Sequence, residues 1–516
     1  MLETGLRRWL IVITVVSATM IELIDTSIVN VALTEMSGNL GATLEDVAWV
    51  VTAYAIANVI VIPITGFLAA LFGRKSYYLG SIILFTITSF LCGNATGIWE
   101  LVFFRFIQGL AGGALLSTSQ AILFETFPEE ERGKASGIFI VGVVFGPTIG
   151  PTLGGWIIDH FSWPWIFYVN LPVGLAAALL TLSVIRDTAD SGKRAVKIDW
   201  PGIGLLAVGV GALQFVLERG QAEDWFAETY ITALTVLAAL SLVAFVIWEL
   251  HTKNPVVNLR VLRSRSLAVA AVLTFILGFG LFGSTFVVPV FAQRILGMTA
   301  LETGLLLLPS ALAAMCVAPI SGRLVQAGFP PRILVITGFT IFTFFCWGLS
   351  GLTSTMGADN FFWPLILRGA GIACLSVPLT TLAVAGLRGR DLAQGVALNN
   401  MMRQLGGSFG IALINTYLAR RTFVNRGHLL ENINAFAPAA QERIATLTHA
   451  FTAQGATLDI AKQRAYAVLE GILTRESTIV SYGDNFRILA LFFVLCIPFV
   501  FLMKNGKGAK PVADAH

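Results

Sequence analysis

The sequence predicts an all-α membrane protein with about fourteen transmembrane helices, and three observations carry that prediction. The chain has 516 residues, of which 56% are hydrophobic and only 12% charged; a soluble domain carries about 25% charged residues. Apolar runs of roughly 20 residues, the length that crosses a bilayer, recur from one end to the other. Lys and Arg collect in every second connection between those runs, the asymmetry that orients membrane helices.

Taken in order, spans are expected near 9–33, 47–70, 77–94, 98–124, 135–159, 165–185, 200–217, 229–250, 267–293, 301–322, 332–352, 361–386, 392–418 and 485–503. The first run follows Arg7 and Arg8 and is too long for the apolar region of a cleaved signal peptide, so it reads as an uncleaved span. With the N-terminus cytoplasmic, the inner connections hold Arg74 and Lys75, Arg132 and Lys134, Arg186, Lys193, Arg194 and Lys197, and Lys253, Arg260, Arg263 and Arg265. Further along they hold Arg323 and Arg332, Arg388 and Arg390, and Lys504, Lys507 and Lys510. Of the short outer connections only two carry a basic residue, Arg219 and Arg294. An even number of spans then places both termini in the cytoplasm. Residues 419–484 form a long polar, helix-prone outer connection, read either as a solvated helical hairpin or as a docking surface for an extracytoplasmic partner.

The net charge of +4 lies in these short clusters, a topology signal rather than a face for nucleic acid. Cys92, Cys316, Cys346, Cys374 and Cys496 show no paired spacing, so neither disulfides nor a metal site is expected. Five histidines (His160, His251, His428, His449, His516), none clearly mid-span, speak against an enzyme buried in the membrane. No cofactor is expected.

Ionisable residues inside spans mark function by default. Glu22 and Asp25 lie three residues apart on one face of the first span, with Thr26, Ser27 and Asn30 near them. A carboxylate in a low-dielectric site can take up and release a proton, as a proton-coupled carrier requires; permanent pairing with a buried arginine is the alternative. Arg105, Arg368 and Arg403 are mid-span, and a guanidinium that cannot deprotonate needs an acceptor. Arg105 is a candidate partner for Asp25; otherwise it only staples helix ends. Arg403, with Asn399, Asn400 and Gln404, makes either a polar pocket wall or helix–helix glue. LVFFRFIQGLAGG (101–113) and PLILRGAGIAC (364–374) make a weak repeat, each with a mid-span Arg followed by glycines. Gly142, Gly146, Pro147, Gly150, Pro151, Gly154 and Gly155 combine close-packing glycines with helix-weakening prolines and are expected to form a flexible gate between two halves. Phe282 and Phe286 are candidates for an aromatic cavity wall, against ordinary packing.

These motifs resemble the major facilitator superfamily, specifically the fourteen-span drug:proton antiporters of the EmrB/QacA type. LIDTSIVNVAL (23–33) resembles the first-span motif, whose Asp, here Asp25, the family links to proton coupling. GFLAALFGRK (66–75) resembles the loop motif through Gly66, Gly73, Arg74 and Lys75, but Ala70 and Leu71 replace its acidic and basic residues, which implies weaker charge contacts there. The run containing Arg105 resembles the fourth-span motif, GVVFGPTIGPTLGGW (142–156) the antiporter motif, and SWPWIFYVNLPVG (162–174) the opening of the sixth span. Thr34 and Pro164 also depart from the pattern, and Glu22 is not a general feature of the group.

The resemblance implies a six-helix bundle at 1–195, two inserted helices at 196–260 and a second six-helix bundle at 261–516, rocking about a midplane cavity. Proton coupling would rest on Asp25, Glu22 and Arg105, and the cavity on Glu22, Asn30, Tyr54, Asn58, Gln108, Phe282, Phe286, Arg368, Asn399 and Arg403. The cargo would be amphipathic small molecules, in the bacterial inner membrane, with membrane lipids around the chain. A periplasmic membrane-fusion adaptor (EmrA-like) and an outer-membrane channel (TolC-like) would be its partners. A dedicated cargo such as a siderophore, fatty acid or metabolite stays open. A nutrient importer is disfavoured by the antiporter-like fifth span.

Overall fold

The computed structural model describes residues 6–186, 198–353, 356–387, 389–431 and 438–503. Lys193, Arg194, Lys197, Arg388, Lys504, Lys507, Lys510 and His516, and the boundary expected at 195, lie outside the described residues. The first half comprises α1 (Leu6–Leu40), α2 (Leu44–Phe72), α3 (Arg74–Gly93), α4 (Ile98–Thr126), α5 (Arg132–His160), and a span made of α6 (Trp165–Tyr168) and α7 (Asn170–Val184). Then come α8 (Trp200–Arg219) and α9 (Thr229–His251). The second half comprises α10 (Arg265–Arg294), α11 (Ala300–Gln326), α12 (Pro331–Gly348), α13 (Asp359–Ala383), α14 (Gly389–Glu431), α15 (Pro438–Ala453) and α16 (Leu458–Val500).

Thirteen helices among the described residues are long and apolar enough to cross a membrane. The fourteenth expected span is the first part of α14. Its polar stretch Asn399–Gln404 lowers its hydropathy because it lies against other helices rather than lipid: α14 packs on α10 and α16 and, across the middle of the molecule, on α2 and α4.

The two halves repeat each other down to their loops. The α1–α2 turn has Gly41 at φ +61° followed by a capping box of Thr43 and Asp46; the α10–α11 turn has Gly297 at φ +71° followed by one of Thr299 and Glu302. The box satisfies backbone N–H groups that a helix start leaves open, and the positive φ suits glycine. The next connections each carry one more such glycine, Gly73 at φ +85° and Gly328 at φ +83°. Helix α4 therefore corresponds to α13, and Arg105 to Arg368.

Helices α8 and α9 pack on each other and, through α8, on α2 and α14, with Val59 and Phe67 of α2, Leu206 and Val210 of α8 and Leu398 and Leu405 of α14 in one apolar cluster. Helix α9 is outermost, and Leu240, Val243 and Ile247 are exposed, as a lipid-facing helix requires.

The polar connection 419–484 is not a separate loop. Helices α14 and α16 run on past their apolar stretches, 43 residues each, and α15 packs against α16 between them. Hydropathy falls where the helices leave the apolar layer, but backbone hydrogen bonding continues. Arg421 Nε donates to Asp484 Oδ2 at 2.8 Å and Asn425 Nδ2 to Ser481 Oγ at 3.0 Å, tying the two helices together at the base of this hairpin.

The glycine-rich stretch of α5 divides between two neighbours. A Cβ on Gly146 would stand 2.8 Å from Leu23 Cβ and one on Gly154 2.8 Å from Ile28 Cγ1, while Gly142 faces Val16 and Gly150 faces Ser27. This stripe, with Pro147 and Pro151 inside an unbroken helix, packs on α1 of its own half. The same stretch also reaches the other half at its far end, where Gly155 meets Ala300 of α11, and nearer the start of α5 Gly133 and Gly137 meet Gly322 and Ala318 of α11.

At the end of the bundle carrying Gly73, the halves are also joined by Arg132 Nη1 donating to Val384 O at 3.1 Å and by Ser136 Oγ and Thr381 Oγ1 at 3.3 Å. Gly66 lies against Gln394, where a Cβ would approach its Cγ at 3.2 Å. Charge contacts near the loop motif persist despite Ala70 and Leu71: Arg74 pairs with Glu125, Arg8 with Glu131 at 2.9 Å, and Lys75 Nζ donates to Leu182 O at 2.7 Å.

Candidate functional site

Asp25 and Arg105 meet in the interior of the first half. Asp25 is fully buried and Arg105 is 1% exposed; Arg105 Nη1 donates to Asp25 Oδ2 at 2.6 Å. The other carboxylate oxygen, Oδ1, accepts from Asn170 Nδ2 at 2.8 Å and Gln108 Nε2 at 3.2 Å. Gln108 also accepts from Arg105 Nη1 at 2.8 Å and donates to Ser89 Oγ at 2.7 Å. Arg105 Nε donates to Val50 O at 3.2 Å, and the guanidinium lies 4.1 Å above the centre of the Tyr54 ring. Five helices, α1, α2, α3, α4 and α7, are thus joined in one network around this carboxylate, with α4 and α7 bonding it directly. A buried ion pair is costly unless hydrogen bonds satisfy its remaining lone pairs, and here both oxygens of Asp25 are bonded. Asn170 and Ser89 were not among the residues singled out from sequence; each is a polar side chain within an apolar span.

Glu22, one turn earlier on α1, serves a different group. Its Oε1 accepts from Asn58 Nδ2 at 3.1 Å, while Oε2 is buried with no hydrogen-bond partner. Arg403 of α14 is the charge of opposite sign that faces it from the second half. Arg403 is 5% exposed, and Asn399 one turn before it keeps a buried Oδ1 without a partner. Asn400 bridges the halves, its Nδ2 donating to Gln120 Oε1 at 2.9 Å and Ser117 Oγ at 3.2 Å. Glu22, Arg403 and Asn399 therefore leave unmatched hydrogen-bonding capacity where the halves face each other, whereas Asp25 is fully matched.

The remaining predicted residues fall elsewhere. Asn30 is exposed and donates to Thr26 O at 3.3 Å on its own helix. Phe282 packs against Gly407 of α14 and Phe286 against the apolar core of the second half, so helix packing accounts for both. Arg368 is 3% exposed; its Nε donates to Ser284 Oγ at 2.9 Å, Nη1 to Ser310 Oγ at 3.0 Å and Nη2 to Thr285 Oγ1. The five cysteines are free thiols, and the described residues hold no cluster of three metal-ligating side chains.

The family model for the Major Facilitator Superfamily matches residues 15–411. The chain is 33% identical over 492 residues, 95% of this chain and 94% of the relative, to the Multidrug export protein EmrB of Escherichia coli strain K12. It is 33% identical to the Fatty acid resistance protein FarB of Neisseria gonorrhoeae over 94% of both chains. Among solved structures it resembles the human organic anion transporter MFSD10 (TETRAN), with a TM-score of 0.57 and 13% identity over 95% of this chain and 100% of that one, a likeness of fold.

Proposed function

The chain belongs to the major facilitator superfamily, in its EmrB-type branch, and from that premise we propose that it is a proton-driven exporter of amphipathic compounds working by alternating access. The single observation that carries this reading is the buried Asp25–Arg105 pair. A proton arriving at Asp25 cancels the charge that holds Arg105, and the donors on Asn170 and Gln108 then lose their ionic acceptor. Protonation so loosens the junction of five helices, and loss of the proton restores it. The two states give the rocking of one half against the other a chemical trigger. Cargo binds between the halves, against Glu22, Asn399 and Arg403, whose free capacity suits an amphiphile with a polar head.

The protein is then a multi-pass inner-membrane protein with both termini in the cytoplasm and the α14–α16 hairpin on the outer side. The hairpin would meet an EmrA-like adaptor leading to a TolC-like channel. A second reading, export of one dedicated amphiphile such as a fatty acid, is favoured by the similarity to FarB. The test is transport in proteoliposomes under an imposed pH gradient, offering a cationic dye and dodecanoate to wild type and Asp25→Asn. Cargo should move against the proton flux, and the substitution should stop it. Movement that ignores the gradient, or survives in the variant, would remove proton coupling from the reading. Cargo preference separates the two readings.

A further inference from the structure

Among the described residues of its own half, no acidic side chain pairs with Arg368. Helices α10 and α12 contain no acidic residue. In α11 and α13 the acids are Glu302 and Asp359, both in the first turn. In α14 they are Asp391 in the first turn and Glu431 at the far end, and in α16 the acid nearest the apolar stretch, Asp484, is held by Arg421 and Arg487. All three partners of Arg368 are neutral hydroxyls. A guanidinium cannot escape this by deprotonating, and an uncompensated buried charge is costly.

The cradle also has donors to spare. Ser284 and Thr285 pass their own protons to Leu281 O, at 3.1 and 2.7 Å. Ser310 accepts from Arg368, and its O–H has no acceptor among the described residues. Of the five N–H groups of a guanidinium, three are used, leaving one on each Nη. Two N–H groups and one O–H on a fixed positive charge form a donor set for an anion.

We propose that the Arg368–Ser310 cradle binds one anionic group, either a halide ion or the carboxylate of an amphiphile, as the counter-charge of the second half. Only the carboxylate source rests on the export reading. The test is thermal unfolding of the purified full chain in non-ionic detergent, titrated with chloride against gluconate at constant ionic strength, and separately with dodecanoate against dodecanol. Wild type should show a saturable rise in midpoint of about 2–4 °C with at least one anion. Ser310→Ala should weaken the apparent affinity about tenfold, and Arg368→Gln should abolish the response. If Arg368→Gln does not fold, Ser310→Ala decides. A response to chloride alone assigns an inorganic counter-ion, and one to dodecanoate alone assigns a cargo head group. No saturable response to either, or an unchanged one in Ser310→Ala, overturns the proposal. Loss of transport with anion binding intact would count against the exporter reading alone.

Discussion

Arg105 on α4 and Arg368 on α13 stand at equivalent places in halves whose turns share the same glycine and threonine chemistry, yet one faces a carboxylate and the other three hydroxyls. The repeat has kept the scaffold and the cation while the acceptor has diverged. On the proposed export mechanism the first half carries the group that takes and gives up a proton, whereas the hydroxyls around Arg368 leave its charge fixed. If both proposals hold, the asymmetry puts a proton on one side of the molecule and an anionic partner on the other.

The largest expected effect comes from making the first half resemble the second. Asp25→Asn leaves Arg105 with neutral acceptors only, and gradient-driven export should fall by at least about 100-fold, measured as initial rate in vesicles, because the loss is of a titrating group and not of a contact. The converse change, Ser284→Asp, gives Arg368 a carboxylate of its own; the anion dependence of unfolding should disappear, with a stability loss of about 1–3 kcal/mol from the added volume, read from denaturation curves. Glu22→Gln should raise KM for a cationic dye about tenfold while an uncharged cargo is unaffected; equal losses for both would remove Glu22 from cargo recognition. Gly146→Ala pushes α5 off α1 behind the proton site but not behind Arg368, with an expected loss of about 1–3 kcal/mol. The smallest change is Asp484→Asn at the base of the hairpin. Its partner Arg421 is 38% exposed, so about 1 kcal/mol or less is expected, seen as faster proteolysis of the hairpin with transport unchanged.

How much of this was legible in the sequence depended on the kind of signal. Mid-span charges were plain, since an ionisable residue in an apolar run has few explanations, and Asp25 and Arg105 were matched before their helices were seen to touch. Asn170 in SWPWIFYVNLPVG carries no comparable signal, because an uncharged amide stands out less in a span than a charge does. The glycines of α5 announce close packing but not the partners: Gly142, Gly146, Gly150 and Gly154 face α1 and Gly155 faces α11, because spacing gives a face and not the direction in which it points. The helical character of 419–484 is legible in the sequence, but its continuity with the two flanking spans is not, because hydropathy reports where lipid ends and not where a helix ends.

That continuity has a mechanical consequence. From Leu458 to Glu476, α16 extends about 28 Å beyond its core-packed part without a break. A helix that is one piece inside and outside the bilayer cannot change its tilt in one part alone. A 10° lean of its buried part carries the far tip sideways by about 5 Å at this arm length. The hairpin is thus a pointer geared to the second half, and a body resting on its tip would be handed the stage of each turnover as a displacement.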